Sequence, residues 1–435
     1  MDAQRPDFAC TADANLPTKR THKLPRDRAI YVPSVTPSFA MDIYDMSRSS
    51  PRRAYRALPP GVSPQDLNFL DPANDFFRLS HVLTSAGQAL NQTQPCIVNR
   101  RDRSSTVAIG DSGGFQILKG SWVISTDQQR LQILRWLEAN CDYAMTLDVP
   151  TADLGKPGFR YKTFAACLND TLTHLTFFQA HRQSEQVRFL NVLQGNNRTQ
   201  SDAWYEAVRG YNFEGWAFGG PLRKNFYFLC RRIVQMYEEG QIQDKSWIHV
   251  LGTAELSVAL LLTVLQRAIN RHMNADLRIS YDTSTPFSQI AYSQAYSLPT
   301  FTDGKLVVSS AKIPDSHHLI GSQMRWPWPS PLGDQLTMGD VCISNSVTAG
   351  TFRDSQSNHY VAHHNLSVLC NSIDIAHRIF DVERVTGAAT FPRELFNAAG
   401  AIDEVIEKRS QVYVEIRKNA LARGTGAVNE DDERD

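Results

Sequence analysis

Three aspartates stand directly after short apolar runs: Asp111, Asp148 and Asp282. Gln194 and the pair Gly219-Gly220 follow two further runs of the same kind. In a parallel α/β protein, groups that follow strands meet at the carboxyl end of the barrel or sheet. Several acids without a cluster of Cys or His favour acid–base or covalent carboxylate chemistry over metal catalysis. The sequence therefore predicts a pocket lined by several carboxylates.

The alternative interpretation of any one of these aspartates is an N-cap for the helix that follows it. Capping alone does not explain three aspartates, a glutamine and the glycine pairs Gly113-Gly114 and Gly219-Gly220 in equivalent positions. Paired glycines let the backbone approach a flat ligand closely and leave N–H groups free to donate. We therefore expect a binding site at this end of the strands.

Short apolar runs alternate with longer amphipathic ones, which is typical of a parallel sheet with helical crossovers. The predicted strands are Phe39–Tyr44, Pro95–Val98, Val107–Gly110, Tyr143–Leu147, Arg188–Leu193, Gly215–Phe218, Trp247–Leu251 and Leu277–Tyr281. The predicted helices between them include Gln128–Asn140, Asp202–Arg209, Phe226–Glu239 and Glu255–Arg271. About eight strands favour closure as a (β/α)8 TIM barrel. A doubly wound open sheet has the same local pattern and stays an alternative.

The chain divides into four predicted parts. Residues 1–35, rich in Pro, Arg, Lys and Thr, form an N-terminal arm, and residues 36–310 form the barrel. A hairpin is predicted at Phe301–Ser309. Residues 311–428 complete the barrel and add a C-terminal helical appendage, and residues 429–435 are an acidic tail.

Composition limits the cellular context. Lys plus Arg and Asp plus Glu both total 45, so a polyanion-binding surface would have to be local. The seven cysteines are scattered and never form a CxxC pair, which favours a reducing compartment over a disulfide scaffold. No apolar run is long enough to span a bilayer. We expect a cytoplasmic protein, in the host cytoplasm if a phage encodes it, with no membrane partner.

The polar stretches at these strand ends resemble, in order, five motifs of the tRNA-guanine transglycosylase family. The matching segments are Asp111-Ser112-Gly113-Gly114-Phe115-Gln116, Leu147-Asp148, Leu193-Gln194-Gly195, Ala217-Phe218-Gly219-Gly220 and Tyr281-Asp282-Thr283-Ser284-Thr285-Pro286. The resemblance covers roughly residues 105–290. It implies an enzyme that exchanges a guanine in a polynucleotide for a 7-deazaguanine base.

The resemblance implies a role for each site residue. Asp282 would attack C1′ of the target nucleoside and hold a covalent glycosyl-enzyme, while Asp111 would serve as the general acid and base. Such a division requires the pKa of Asp111 to be raised, and it follows the double displacement of retaining glycosidases. The other positions implied to contact the base are Asp148, Gln194, Gly195, Gly219, Gly220, Ser112 and Gly113, with Phe115 and Leu251 stacking on its two faces. For Phe115 and Leu251 the alternative is plain core packing.

Three departures from the family pattern point to a particular branch. The segment 287–292 lacks the arginines with which the bacterial tRNA enzymes read their substrate. The segment 221–225 lacks their glutamate, so the neutral nitrile base preQ0 fits better than an aminomethyl base. The zinc motif is not intact: Cys342 and His364 are weak candidates beside His359 and His363, and zinc is doubtful. These losses resemble the DpdA-type 7-deazaguanine DNA transglycosylases of phages and bacteria, which implies DNA as partner and preQ0 as base substrate, with no other cofactor required.

Local basic clusters would contact the DNA backbone. The residues predicted for this role are Arg48, Arg52, Arg53, Arg56, Arg101, Arg223 and Lys224. The first four lie in one segment without an acid, beyond the predicted strand Phe39–Tyr44, which would put them on the active-site side. Clusters of this kind also occur on ordinary solvated surfaces. A guanine in a duplex would have to be flipped out to reach the barrel mouth.

Other functions stay open. The nearest is a tRNA-guanine transglycosylase of the queuosine or archaeosine type, which the lack of a following RNA-binding domain disfavours. A non-catalytic subunit is disfavoured because Asp111, Asp148, Gln194 and Asp282 all stand in place. A glycoside hydrolase would use a similar carboxylate barrel. The sequence does not indicate the oligomeric state.

Overall fold

A computed structural model describes residues 27–92, 94–183, 187–302, 305–343, 352–388 and 390–425. Its centre is a sheet of eight parallel strands. They are β1 (Ile30–Pro33), β2 (His81–Ser85), β3 (Val107–Asp111), β4 (Tyr143–Met145), β5 (Arg188–Leu193), β6 (Gly215–Phe218), β7 (Trp247–Val250) and β8 (Arg278–Thr283).

The strands pair in chain order from β2 to β8, and β1 pairs with β8. The remaining seam, between β1 and β2, is closed by a parallel bridge between Ser34 and Leu83 and by a hydrogen bond of 3.1 Å from Val35 N to Leu83 O. The sheet thus forms a nearly closed (β/α)8 TIM barrel, as the sequence predicts.

The described helices surround this barrel and extend beyond it. They are α1 (Pro37–Met46), α2 (Pro64–Leu67), α3 (Ala86–Ala89), α4 (Gly114–Leu118), α5 (Asp127–Asn140), α6 (Phe164–His181), α7 (Arg198–Val208), α8 (Phe226–Glu238), α9 (Leu256–His272), α10 (Thr285–Ser288), α11 (Met338–Val341), α12 (Ser355–Thr386), α13 (Arg393–Lys408), α14 (Gln411–Ile416) and α15 (Lys418–Arg423). Short 3-10 helices lie at Pro221–Lys224, Gln289–Tyr292, His317–Leu319 and Gly333–Gln335.

Side chains alternate between two faces of each strand, and the inward ones fill the barrel. An apolar cluster inside the barrel combines residues from β1 to β7: Ile30, Val32, Leu83, Ile109, Met145, Leu190, Val192, Ala217 and Trp247. The outward residues pack against the helices in a second, larger core. The interior is therefore a packed plug, and space for a ligand lies at its carboxyl end.

The C-terminal helices attach to the barrel through α9 and α12. His377 of α12 forms a hydrogen bond of 2.7 Å with Thr263 of α9, and Arg267 of α9 forms an ion pair of 2.7 Å with Asp381 of α12. Helix α13 packs along α9. The C-terminal helical appendage predicted within residues 311–428 is confirmed, and its first long helix begins at Ser355.

Two predicted strands are wrong. Phe39–Tyr44 lies in α1, because Pro37 favours a helix start and the buried Phe39, Ala40 and Ile43 share one helical face. Pro95–Val98 is a buried turn, in which Arg100 N donates to Cys96 O. The first two barrel strands are instead β1 and β2.

The boundary of the predicted N-terminal arm also changes. Strand β1 begins at Ile30, inside the range 1–35 assigned to the arm, because Ile30–Pro33 is a fully buried apolar run. Residues 1–26 of that arm and the acidic tail 429–435 lie outside the described residues.

Four short strands form two antiparallel pairs after the barrel. They are β9 (Gln294–Tyr296), β10 (Thr300–Thr302), β11 (Lys305–Val307) and β12 (Ser310–Lys312), with β10 pairing β11 and β9 pairing β12. The predicted hairpin is confirmed in its strands, and its turn residues 303 and 304 lie outside the described part. Within the described ranges, none of the helices has the length and apolar character needed to cross a membrane.

Candidate active site

The predicted site residues lie at the carboxyl ends of the barrel strands. Asp111 ends β3, Asp148 follows β4, Gln194 follows β5 and Asp282 lies near the end of β8. The charge of Asp282 raises the pKa of Asp111, and the charge of Asp111 raises the pKa of Asp148. The three carboxylates therefore lie close to one another. The barrel thus brings together the three carboxylates that the sequence singles out.

Asp111 is held by two hydrogen bonds. Ser85 Oγ, at the end of β2, donates to Oδ2 over 2.7 Å, and Gly113 N donates to Oδ1 over 3.1 Å. Gly113 has a φ of 105°, a left-handed conformation that glycine adopts without strain and that starts α4. Burial raises the pKa of Asp111, and the nearby charge of Asp282 raises it further, while the two hydrogen bonds oppose this shift. The group is suited to carrying a proton.

Asp148 is 4% exposed and accepts a hydrogen bond of 2.8 Å on Oδ2 from Gln194 Nε2. Burial raises the pKa of Asp148 to about 7, against the opposing effect of Gln194 and with a further contribution from Asp111. The amide oxygen of Gln194 is buried and has no hydrogen-bond partner among the described residues. An unpaired buried acceptor beside a carboxylate is a group that a bound ligand could satisfy.

The glycines after β5 and β6 allow close backbone approach. A Cβ atom on Gly219 would lie 2.6 Å from Gln194 Nε2, and one on Gly195 would lie 2.6 Å from the backbone nitrogen of Ser201. Gly219 therefore makes room for the Gln194 amide, whereas Gly195 makes room for α7. Ser112, another predicted base contact, is buried and donates from Oγ to Thr146 O over 3.0 Å, which joins the β3 and β4 loops.

Asp282 is 7% exposed and receives two hydrogen bonds on the same oxygen, Oδ1. Gly252 N donates over 2.7 Å, and His249 Nε2 lies 3.2 Å away. His249, in β7, was missed by the sequence reasoning. The alternation of side chains along a strand could have identified it. His249 lies two residues before Leu251, so both side chains face the barrel interior.

The two predicted stacking residues differ in exposure. Phe115, at the start of α4, is 57% exposed, and the Lys119 ammonium lies 5.4 Å from its ring centroid. Leu251 is partly buried against the interior apolar cluster. Phe115 is therefore an open aromatic surface, whereas Leu251 packs against the apolar interior of the barrel.

The arginine-rich segment 48–56 is paired with acids from elsewhere in the fold. Arg48 and Arg52 each contact Asp45 over 3.1 Å, Arg53 contacts Asp42, and Arg56 contacts Asp354 over 2.9 Å. The four side chains stay between 34% and 49% exposed, and a cavity of about 480 Å³ is lined by Arg52, Arg53 and Arg56. The argument that a preceding strand places them at the mouth is wrong, because that segment is α1.

Arg101 does not have the predicted surface role. Its side chain is fully buried and donates to Val98 O over 2.7 Å, to Asn140 O over 2.9 Å and to Asp142 over 2.6 Å. Its guanidinium is buried and bonded to groups of the protein, so it is not available to nucleic acid and the prediction that it contacts nucleic acid is wrong.

Arg223 and Lys224 lie at the mouth, and both have protein partners. The guanidinium of Arg223 donates to the carbonyls of Leu251, Gly220 and Gly252, which ties the β6 loop to the β7 loop. Lys224 forms an ion pair with Glu255. Beside Gly252 and Thr283, a cavity of about 600 Å³ opens between the mouth and the C-terminal helices.

The weak zinc candidates do not come together. The thiol of Cys342 lies 3.5 Å from Pro314 O. The ring nitrogens of His364 bond Ser330 Oγ at 2.8 Å and Tyr296 O at 2.9 Å. Among the described residues, no group of three His, Cys, Asp or Glu side chains is arranged to hold a metal ion.

Comparison with known proteins adds no family assignment. No family model matches the chain, and a search of curated proteins finds none that is significantly similar.

Proposed function

We propose that this protein is a DNA-guanine transglycosylase that replaces guanine in DNA by a 7-deazaguanine base, preQ0. The observation that carries the proposal is the arrangement of Asp111 and Asp282. One is a partly buried carboxyl whose pKa is raised, and the other is held by donors on a single oxygen. Two carboxyl groups in such different environments suit an acid and a nucleophile.

The reaction would proceed by double displacement. A carboxylate oxygen of Asp282 forms a bond to C1′ while the C1′–N9 bond breaks. The electron pair leaves with guanine, which takes a proton from Asp111. The incoming base then loses its N9 proton to Asp111, attacks C1′ and releases Asp282. Both half-reactions invert C1′, so the exchange retains its configuration.

Base recognition would use the next two strand ends. The ionised Asp148 accepts from N1–H and the exocyclic amino group, the edge common to guanine and preQ0. The second N–H of the Gln194 amide and the Gly220 N–H donate to O6. Phe115 covers one face of the ring and Leu251 the other. Segment 221–225 contains no Asp or Glu, so it offers no carboxylate to pair with a cationic substituent on the base.

DNA is proposed as the polynucleotide because of the departures from the tRNA-reading pattern. Segment 287–292 carries no arginine. The exposed guanidinium groups of Arg52 and Arg53 offer donors for phosphate oxygens. The target guanine would leave the duplex stack to enter the mouth, at a cost of a few kcal/mol.

Nucleoside mass spectrometry tests this proposal. The protein and preQ0 are incubated with duplex DNA or with bulk tRNA, and each digest is compared with that of the Asp282→Ala variant. We expect a deoxy-7-deazaguanosine from DNA only, and none with Asp282→Ala. A modified nucleoside in tRNA would overturn the DNA assignment. The absence of a modified nucleoside from both digests would overturn the enzymatic function.

A further inference from the structure

A chain of four side chains runs from the barrel interior to its mouth. In the pairing of β7 with β8, His249 lies opposite Ser280. Trp247 and His249 alternate on the inward face of β7, and Ser280 and Asp282 do so on β8. The four are buried, with at most 7% exposure. Their order of contact is Trp247, Ser280, His249 and Asp282.

The donors and acceptors along this chain fix its hydrogen positions. The indole N–H of Trp247 can only donate, and it lies 2.6 Å from Ser280 Oγ. Ser280 Oγ is therefore an acceptor from Trp247 and has its own proton left to donate. Among the described residues, its other partner is His249 Nδ1 at 2.7 Å. The hydroxyl proton of Ser280 consequently points at Nδ1.

This leaves the imidazole proton of His249 on Nε2. Nε2 then donates to Oδ1 of Asp282 over 3.2 Å. The other tautomer would set a nitrogen lone pair against a carboxylate oxygen and leave the Ser280 proton without an acceptor. Because Gly252 N donates to the same oxygen, both hydrogen bonds recorded for this carboxylate within the described part end on Oδ1.

We infer that His249 is a positioning residue, which clamps Oδ1 of Asp282 together with Gly252 N so that Oδ2 is the oxygen that attacks C1′. This inference rests on the proposed function. Two donors on one oxygen restrict rotation of the carboxylate and stabilise one attacking geometry. In the covalent step, Oδ2 bonds to C1′, the C1′–N9 pair departs with guanine, and Asp111 supplies the proton. His249 keeps its proton throughout, as do Ser280 and Trp247.

The tautomer can be measured without any activity. The full chain is labelled with ¹⁵N-histidine, and the signals of His249 are assigned by comparison with His249→Gln. We expect a protonated Nε2 and an unprotonated Nδ1, with the Nδ1 signal changed by Ser280→Ala. An unprotonated Nε2 would overturn the clamp, whatever reaction the protein catalyses.

Kinetics then test the positioning role in the exchange reaction. His249→Leu removes the donor, and we expect kcat to fall about 100-fold, as for loss of one pre-organised donor. The KM for the base should change by no more than about twofold, because His249 does not touch the base. His249→Gln can present an amide N–H at the position of Nε2, so its kcat should be about tenfold higher than that of His249→Leu. His377→Leu is the control for removing a buried histidine away from the site, and its kcat should equal that of the wild type.

The outcomes separate the two proposals. Unchanged kcat in His249→Leu, or no recovery in His249→Gln when thermal melting shows both variants folded, overturns the positioning role and leaves the transglycosylase intact. No exchange by the wild type on DNA or tRNA overturns the proposed function. The ¹⁵N signals still decide the arrangement of the clamp in that case.

Discussion

Gln194 and Asp148 form a buried pair in which Nε2 donates to Oδ2 over 2.8 Å, while the amide oxygen on the other side of Gln194 has no partner within the described residues. The pair joins the ends of β4 and β5. The proposed base would bind to this pair, which presents both a carboxylate and an amide for hydrogen bonding.

The pH dependence of base binding follows from Asp148. Its pKa is raised to about 7, and only the ionised form can accept from two N–H groups of the base. Affinity for preQ0 should therefore fall about tenfold per pH unit below 7. Calorimetric titration between pH 5.5 and 8.5 measures this. Asp148→Asn should bind weakly with a flat profile, and a flat profile in the wild type would argue against Asp148 as the acceptor.

The stability of the protein should respond to Asp148 in the opposite direction. Its pKa in the folded state lies above the ordinary value of 3.8, so the folded state holds the proton more tightly than the unfolded state. This contribution to stability is complete below pH 3.8 and is lost as pH rises through 7. Asp148→Asn should therefore raise the Tm more at pH 8 than at pH 5, as scanning calorimetry would show. An equal gain at both pH values would contradict the raised pKa.

The proposed general-acid role of Asp111 predicts a specific defect. Asp111→Asn cannot supply the proton to departing guanine, so exchange should slow by about 10²- to 10⁴-fold, while the Kd for free preQ0 changes little. Quenched-flow kinetics with labelled DNA measure the first half-reaction. Full activity in Asp111→Asn would remove Asp111 from the mechanism.

Stacking on Phe115 predicts a loss of affinity without a loss of stability. The ring is 57% exposed, so Phe115→Ala should change the Tm little. Base–aromatic stacking contributes about 1–3 kcal/mol, so the KM for the base should rise by roughly 5- to 150-fold. Phe115→Tyr keeps the ring and serves as the control. An unchanged KM in Phe115→Ala would make this ring a surface feature only.

The exposed arginines predict the salt dependence of DNA binding. Arg53→Gln should reduce the slope of log K against log salt, because an exposed cation near phosphate releases counterions. Arg101→Met is the matched control: its buried guanidinium should leave the slope unchanged but destabilise the fold by about 3 kcal/mol, since Asp142 loses its partner. Fluorescence anisotropy at several salt concentrations measures both. Equal slopes for the wild type and Arg53→Gln would exclude this segment from the interface.

The sequence was a good guide to elements with strong periodicity. Helix Phe226–Glu238 and strands Arg188–Leu193 and Gly215–Phe218 lie within one residue of their predicted bounds. The errors occurred where apolar residues were interpreted without the prolines and polar residues beside them. Pro37 starts a helix that looked like a strand, and β2 begins with a histidine and ends in Thr-Ser.

The site was predictable in its carboxylates and not in the residues that support them. Asp111, Asp148 and Asp282 are visible because acids at the ends of apolar runs stand out in the sequence. His249 and Ser280 lie inside the strands, where only the register of β7 against β8 brings them together. The acids that pair with Arg52, Arg53 and Arg56 could not be predicted either. Asp354 is distant in the chain, and Asp42 and Asp45 face the arginines only because the segment that carries them is a helix and not the predicted strand.

The seam between β1 and β2 bears on the relative position of two of the site's carboxylates. Asp282 is paired with Val32 of β1, and Asp111 is paired with Ser85 of β2, so the shortest path around the wall between them crosses the seam. That seam has the fewest paired residues of any neighbouring strands in the described barrel. The spacing of Asp111 and Asp282 around the wall therefore depends on its most sparsely paired junction.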